Sequence, residues 1–204
     1  MSTTAINSQL TLSGDCAGVR MTPDEFDAIE QYDELFRYEL IDGVLVVNAI
    51  PLEAQADPNE LLGNLLYVYK TTHPHGTAID LTLPERYINF PNSRRLADRV
   101  IWAGLGRRPN PQAETPTIAI EFVSAGKRSW QRDYVLKRDE YLRSGVVEYW
   151  IFDRFERKIS VYRSTSKGSV LREVGEQDVF QIDLLPGFEL PLAELLAAAD
   201  KWEE

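Results

Sequence analysis

TIAIEFVSAGKRSWQRDYVLKRDEYLRSGVVEYWIFD, residues 117–153, opens with an apolar run over 118–123 that a single carboxylate, Glu121, interrupts. The run reads as a buried strand. An unpaired ionised group there is costly, so Glu121 calls for a cation, a metal, or a place at a strand end facing a cleft. Residues 129–143 then read as a helix with Asp133, Lys137 and Tyr141 at four-residue intervals, a spacing that puts all three on one face. A second apolar strand over 147–153 follows at once. Strand, helix, strand is the grammar of a right-handed parallel crossover.

Working outward, 204 residues suffice for one well-buried domain and are short for two. No internal repeat or linker interrupts the chain, so we expect a loose arm over 1–20 and a single α/β domain over 21–204. A single cysteine, Cys16, excludes an internal disulfide framework and a Cys-based zinc site, and fits a reducing, cytoplasmic setting. No apolar run approaches the roughly 20 residues that cross a bilayer, and residues 1–15 lack the charged-then-apolar order of a signal peptide, so neither membrane nor export is expected.

The net charge of −10 argues against a nucleic-acid partner until its distribution is considered. Residues 94–163 hold fifteen Lys or Arg against nine Asp or Glu, and the rest of the chain is strongly acidic. The chain is therefore polarised, with its suspected chemistry in the basic part. The plainer explanation is that acidic terminal segments simply keep the protein soluble.

Thr22, Pro23 and Glu25 supply an N-cap, a first-turn proline and a capping-box partner for a helix over 23 to about 35. Asp42-Gly43 between apolar runs at 38–41 and 44–49 signals a hairpin. Asp57-Pro58 with Glu60 repeats the cap pattern ahead of a Leu-rich stripe ending near His73-Pro74. Strand-like runs follow at 77–83, 86–90 and 96–103, then a Pro- and Arg-containing loop over 104–116. After residue 153 the pattern predicts an antiparallel meander over 158–163, 170–174 and 179–182 and a closing helix over 190–202.

Asp98 stands near the start of the strand-like run that precedes Glu121. Two acids on neighbouring strands can share a hard divalent cation, and such an ion lowers the pKa of a water and neutralises charge growing on a phosphate. Lys137 is the candidate to assist that water. Each residue has a plainer role: Asp98 as a strand-start turn residue, Lys137 as a surface lysine, Tyr141 as a core aromatic with a polar tip. Glu39 in the hairpin could be a third acid in the cleft or a solvated strand residue. His73 and His75 suit a helix C-terminus better than a metal site. Arg107, Arg108, Lys127, Arg128 and Arg132 could meet a phosphate backbone or water.

Tyr38-Glu-Leu-Ile-Asp-Gly43, Asp98, Ile120-Glu-Phe-Val-Ser124, then Asp133, Lys137, Tyr141 and Gly145-Val-Val-Glu-Tyr-Trp-Ile-Phe-Asp153, in that order and spacing, resemble the Uma-two endonuclease family of the PD-(D/E)XK nuclease superfamily. The resemblance covers roughly residues 21–165. It implies a restriction-endonuclease-like core, a mixed central sheet flanked by helices, here with an N-terminal helix and hairpin and a C-terminal meander. It implies Asp98 and Glu121 as ligands of Mg²⁺ (or Mn²⁺) and Lys137 in the role of the motif lysine moved onto the next helix; Glu39, from the residue reading alone, is an accessory acid to be tested beside them. Val123 occupies the position where the superfamily pattern places lysine, Ala97 replaces a proline, Asn59 lies near a histidine position, and Ala125-Gly-Lys-Arg128 replaces a Pro-Ser-Thr loop. The expected activity is metal-dependent hydrolysis of DNA phosphodiesters. The alternative is a catalytically degenerate nuclease fold acting as a binding or regulatory module. A homodimer formed through an exposed edge of the late meander is a further expectation.

Overall fold

The computed structural model describes residues 11–202, and within them the contacts divide the chain into two compact units, one made of residues up to Ile50 together with Asn89–Arg95, the other of Pro51–Ile88 and Leu96 onward. Half of the arm expected over 1–20 therefore lies outside the described residues. From Thr11 on, Leu12 is buried and bridges Tyr32, and Arg20 bridges Val44.

In the smaller unit the Thr22 capping box forms as read, with Glu25 N–H donating to Thr22 Oγ1 and Thr22 N–H donating to Glu25. Helix α1 is nevertheless only Pro23–Asp27, not the longer helix expected. The residues beyond it, rich in Asp and Glu, offer no sustained apolar stripe, and short helices depend on packing one. Strands β1 (Phe36–Ile41) and β2 (Val44–Ala49) pair antiparallel around Asp42-Gly43. Both turn residues have positive φ, 49° and 74°, as a type I′ turn requires. Leu12, Phe26, Tyr38, Leu40 and Leu45 form this unit's core.

The larger unit begins with α2 (Glu53–Thr72) and continues through β3 (Ile79–Asn89), β4 (Arg94–Ala103), β5 (Ile118–Phe122), α3 (Lys127–Gln131), a π-helical stretch at Arg132–Lys137 and α4 (Arg138–Arg143). It closes with β6 (Glu148–Asp153), β7 (Lys158–Thr165), β8 (Gly168–Gly175), β9 (Val179–Gln181), β10 (Glu189–Pro191) and α5 (Leu192–Asp200). Strands run in the order β3-β4-β5-β6-β7-β8, with β5 and β6 parallel and β4–β5, β6–β7 and β7–β8 antiparallel. The fold is thus mixed α/β, with a largely antiparallel sheet flanked by helices and a parallel crossover where 117–153 placed it.

Four boundaries differ from the sequence reading. α2 starts at Glu53, so Pro58 lies inside it; Ala54, Gln55, Pro58 and Asn59 are all buried, and that packing carries the turn past a proline which removes one backbone donor. The two runs expected around Pro84 are one strand, β3, bent where Glu85 takes a φ of 46°. The third run of the meander leaves the main sheet, because β9 pairs with β10 in a separate two-stranded ribbon that delivers Phe180 and Leu190 to the core. α5 is correspondingly shorter than expected, its first residues serving as β10.

Alternation sorts β5 into two faces. Ile118, Ile120 and Phe122 join Trp150, Phe152, Ile159 and Val161 against Leu62 and Leu66 of α2 and Leu192, Leu195 and Leu196 of α5. Ala119 and Glu121 point the other way, as do Tyr149, Ile151 and Asp153 of β6 by register. The first face is thus mainly apolar, with Arg99 and Glu148 on it by register, and the other carries Glu121 and Asp153. Leu66→Ala, at a fully buried position on the apolar face, is expected to lower unfolding free energy by about 2–5 kcal/mol. Urea denaturation followed by circular dichroism checks this; a loss below about 1 kcal/mol would show that this face does not hold the unit together.

Candidate active site

The register of β4 and β5 is Arg99↔Ile120, Val100↔Ala119, Ile101↔Ile118. One further step along it sets Asp98 opposite Glu121, and residues opposite one another in an antiparallel pair point to the same face with Cβ atoms about 5 Å apart. Asp98 Oδ2 accepts the Phe122 N–H at 2.7 Å, tying the aspartate to the strand that carries the glutamate. The two carboxylates sense one another, since the charge of Asp98 helps to raise the pKa of Glu121.

The helical segment after β5 closes over this face. Lys137 Nζ donates to Glu121 Oε1 at 2.9 Å and to the Leu96 carbonyl at 2.8 Å, and Tyr141 OH donates to the same Glu121 oxygen at 3.0 Å. Asp133 is fully buried and bound by the Arg132 guanidinium through two hydrogen bonds of 2.8 and 3.2 Å. Its backbone carbonyl accepts the Tyr149 hydroxyl at 3.1 Å. An α-helix advances about 100° per residue, so Asp133 and Tyr141 would drift about 80° apart. The π-helical stretch at Arg132–Lys137 has a wider turn, which reduces that drift and lets Asp133, Lys137 and Tyr141 all face inward.

Burial sets the electrostatics. It raises the Asp98 pKa to about 6, against the opposing pull of Lys137 and the Phe122 N–H. It raises that of Glu121 well above the usual carboxylate range, again chiefly by desolvation and again opposed by Lys137. Beside Asp98 a cavity of about 260 Å³ is lined by Pro51, Gln55, Ala56, Asn59, Glu60, Pro84 and Glu85.

Residues to which the sequence reading gave no role at the site hold the frame. Asn59 Nδ2 donates to the Asp98 carbonyl at 2.9 Å, and Arg99 Nε donates to Asn59 Oδ1 at 2.7 Å. Gln55 Nε2 donates to the Ser124 hydroxyl and, at 3.5 Å, to the Phe122 carbonyl. Gly63 leaves room for the Arg99 guanidinium, because a Cβ there would stand 2.6 Å from Nη2. Gln55, Asn59 and Gly63 recur every four residues within an otherwise apolar stripe, a signal hidden when Asp57-Pro58 was read as the helix start.

Of the sequence candidates, the fold brings Asp98, Glu121 and Lys137 together, with Asp133 and Tyr141 beside them. Glu39 belongs to the smaller unit, where Asn48 Nδ2 donates to it at 3.2 Å and Arg95 lies 4.0 Å away. His73 caps α2 and stacks on Tyr69 at 4.9 Å. Arg107 forks onto Glu114, Lys127 is exposed, and the Arg128 side chain lies outside the described residues.

Because the folded chain keeps the Asp98 proton from its ordinary pKa of 3.8 up to about 6, the resulting stability is fully present below about pH 4 and lost as pH rises through 6. Asp98→Asn keeps an acceptor for Phe122 and never ionises. In chelator it is expected to melt about 4–8 °C above the parent protein at pH 7.5, on the order of 2 kcal/mol, with the difference shrinking toward pH 4. A difference independent of pH, or one of opposite sign, would contradict the raised pKa.

Comparison with known proteins agrees with this arrangement of strands and helices. The model of one family, Uma2, described as "Putative restriction endonuclease", matches residues 23–193. A solved structure described as a putative nuclease belonging to DUF820, from Anabaena variabilis, superposes with a TM-score of 0.68 over 88% of this chain and 99% of its own, at 15% identity. That identity speaks to the fold alone. No curated protein matches. With more than three quarters of its length inside the family match, the chain belongs to the Uma2 family, described as "Putative restriction endonuclease".

Proposed function

We propose that the protein is an endonuclease that hydrolyses DNA phosphodiester bonds with a divalent cation, Mg²⁺ or Mn²⁺, held by Asp98 and Glu121. The observation that carries this is the Asp98 carboxylate bonded to the Phe122 N–H of the strand that carries Glu121, with a lysine ammonium bonded to Glu121 itself. The donor set suits a hard cation. Asp98 Oδ1 and Glu121 Oε2 accept no hydrogen bond from the described residues, and Mg²⁺ takes one or two carboxylates and completes its shell with water and substrate phosphate. Among the described residues no group of three or more His, Cys, Asp or Glu is placed to hold a metal. The chemistry such an ion supplies is acidification of a water and neutralisation of charge on the phosphate.

The chain's own groups do the rest. Lys137 keeps a positive charge beside Glu121, where it meets negative charge building on a phosphate oxygen. Tyr141 and Lys137 bond the same carboxylate oxygen and so hold Glu121 in one orientation. Asn59 and Arg99 hold the Asp98 backbone and with it the distance between the two strands.

Supercoiled plasmid incubated with the purified protein in Mg²⁺ is expected to be nicked or cut. Glu121→Gln and Lys137→Ala should each slow cleavage by roughly 10²-fold or more. Cleavage persisting equally in both variants would remove these assignments. Calorimetric titration of the intact protein with Mg²⁺ separates the degenerate alternative, which predicts no heat that depends on Glu121.

A further inference from the structure

The four tryptophans divide sharply. Trp102 and Trp150 are buried, and their indole N–H groups donate to the Glu114 carbonyl and to Glu148. Trp202, at the surface, donates to Asp57 at 3.1 Å. Trp130 is 48% exposed and its indole makes no hydrogen bond with the described residues. A large aromatic with an open face and a free donor is what a ligand-stacking position looks like.

The other side of the ring is firmly supported. Trp130 stacks on Tyr134 with centroids 5.1 Å apart and planes 18° from parallel. Tyr134 is buried and its hydroxyl donates at 2.9 Å to Asp153, whose second oxygen receives the Phe155 and Glu156 N–H groups. The platform is therefore set in place before any ligand arrives, so stacking on it costs little ordering.

Its surroundings suit a polyanion. The segment Lys127–Arg143 holds six basic and three acidic residues in a chain of net charge −10. Lys127 is exposed one turn from the ring. Trp130 precedes Lys137 by seven residues on the same continuous helical segment.

We propose that the exposed face of Trp130 is a stacking platform for an unpaired base of DNA, next to the Asp98, Glu121 and Lys137 centre. This rests on the reading of that centre as a DNA hydrolase. Flat aromatics flanked by cations bind single strands in this way, with little regard for sequence, because every base has a π-face.

The test uses the full chain in chelator at low salt, with fluorescence anisotropy of a labelled dT dodecamer and of an abasic strand with the same phosphates. The parent protein is expected to prefer the dT strand, Trp130→Ala to lose about 5- to 100-fold of affinity for it alone, and Trp130→Phe to recover part of the loss. An unchanged preference in Trp130→Ala overturns the proposal, and so does an equal loss for both strands, which would report charge or folding instead. Failure of the parent protein to bind either strand, or a change only in the mass measured by light scattering, overturns it too. Plasmid cleavage assayed in parallel separates the two readings. Cleavage with a preference indifferent to Trp130 sinks the platform alone, whereas a Trp130-dependent preference without cleavage sinks the hydrolase reading alone.

Discussion

The Glu121 carboxylate sits inside a strand whose other residues are apolar, and everything around it answers that fact. Removing such a group from water costs several kcal/mol unless cations and donors replace the lost solvent. Here the replacement comes from one helical segment, through the Lys137 ammonium and the Tyr141 hydroxyl on a single oxygen. That requirement fixes where the segment lies over the sheet and accounts for its π-helical stretch. The raised pKa of both carboxylates means that ionising them inside the fold is costly, while the opposite face of the same strands packs apolar side chains against α2 and α5.

Two layers of support follow from this division. Beneath the sheet, α2 and α5 bury leucines against Ile120, Phe122, Trp150 and Phe152. At its end, the polar members of α2 leave the leucine stripe to grip backbone: Asn59 the Asp98 carbonyl, Gln55 the Phe122 carbonyl. Arg99 completes the grip on Asn59, passing over Gly63, where any larger residue would displace it. Asp98 and Glu121 thus stand on strands held in place by hydrogen bonds from α2 as well as by their own pairing.

The family match and the fold make the nuclease-like architecture a firm conclusion. The lysine beside Glu121 comes from a different place than in the superfamily pattern that the sequence resemblance brought in. Val123 lies where a lysine is usual, two residues beyond Glu121, and it is buried. The ammonium reaches Glu121 from the crossover helix instead. A lysine held on a helix and bonded at both Glu121 and Leu96 is as well fixed as one projecting from a strand.

Much of this was legible in the residues themselves. A carboxylate in an apolar run, a helix with Asp133, Lys137 and Tyr141 on one face, and a second apolar strand give the crossover by periodicity alone, and Asp42-Gly43 gives its hairpin because few residues tolerate positive φ. What periodicity could not give was set by contacts between distant segments. The start of α2 was misplaced because buried packing outweighs a local proline signal, β9 changed sheets because Phe180 found its place against Trp150, and the π-helical stretch has no local signature. The pairing of Asp98 with Glu121 is a matter of strand register. Register is chosen by which faces can be buried together, a property of the assembled sheet and not of either strand by itself.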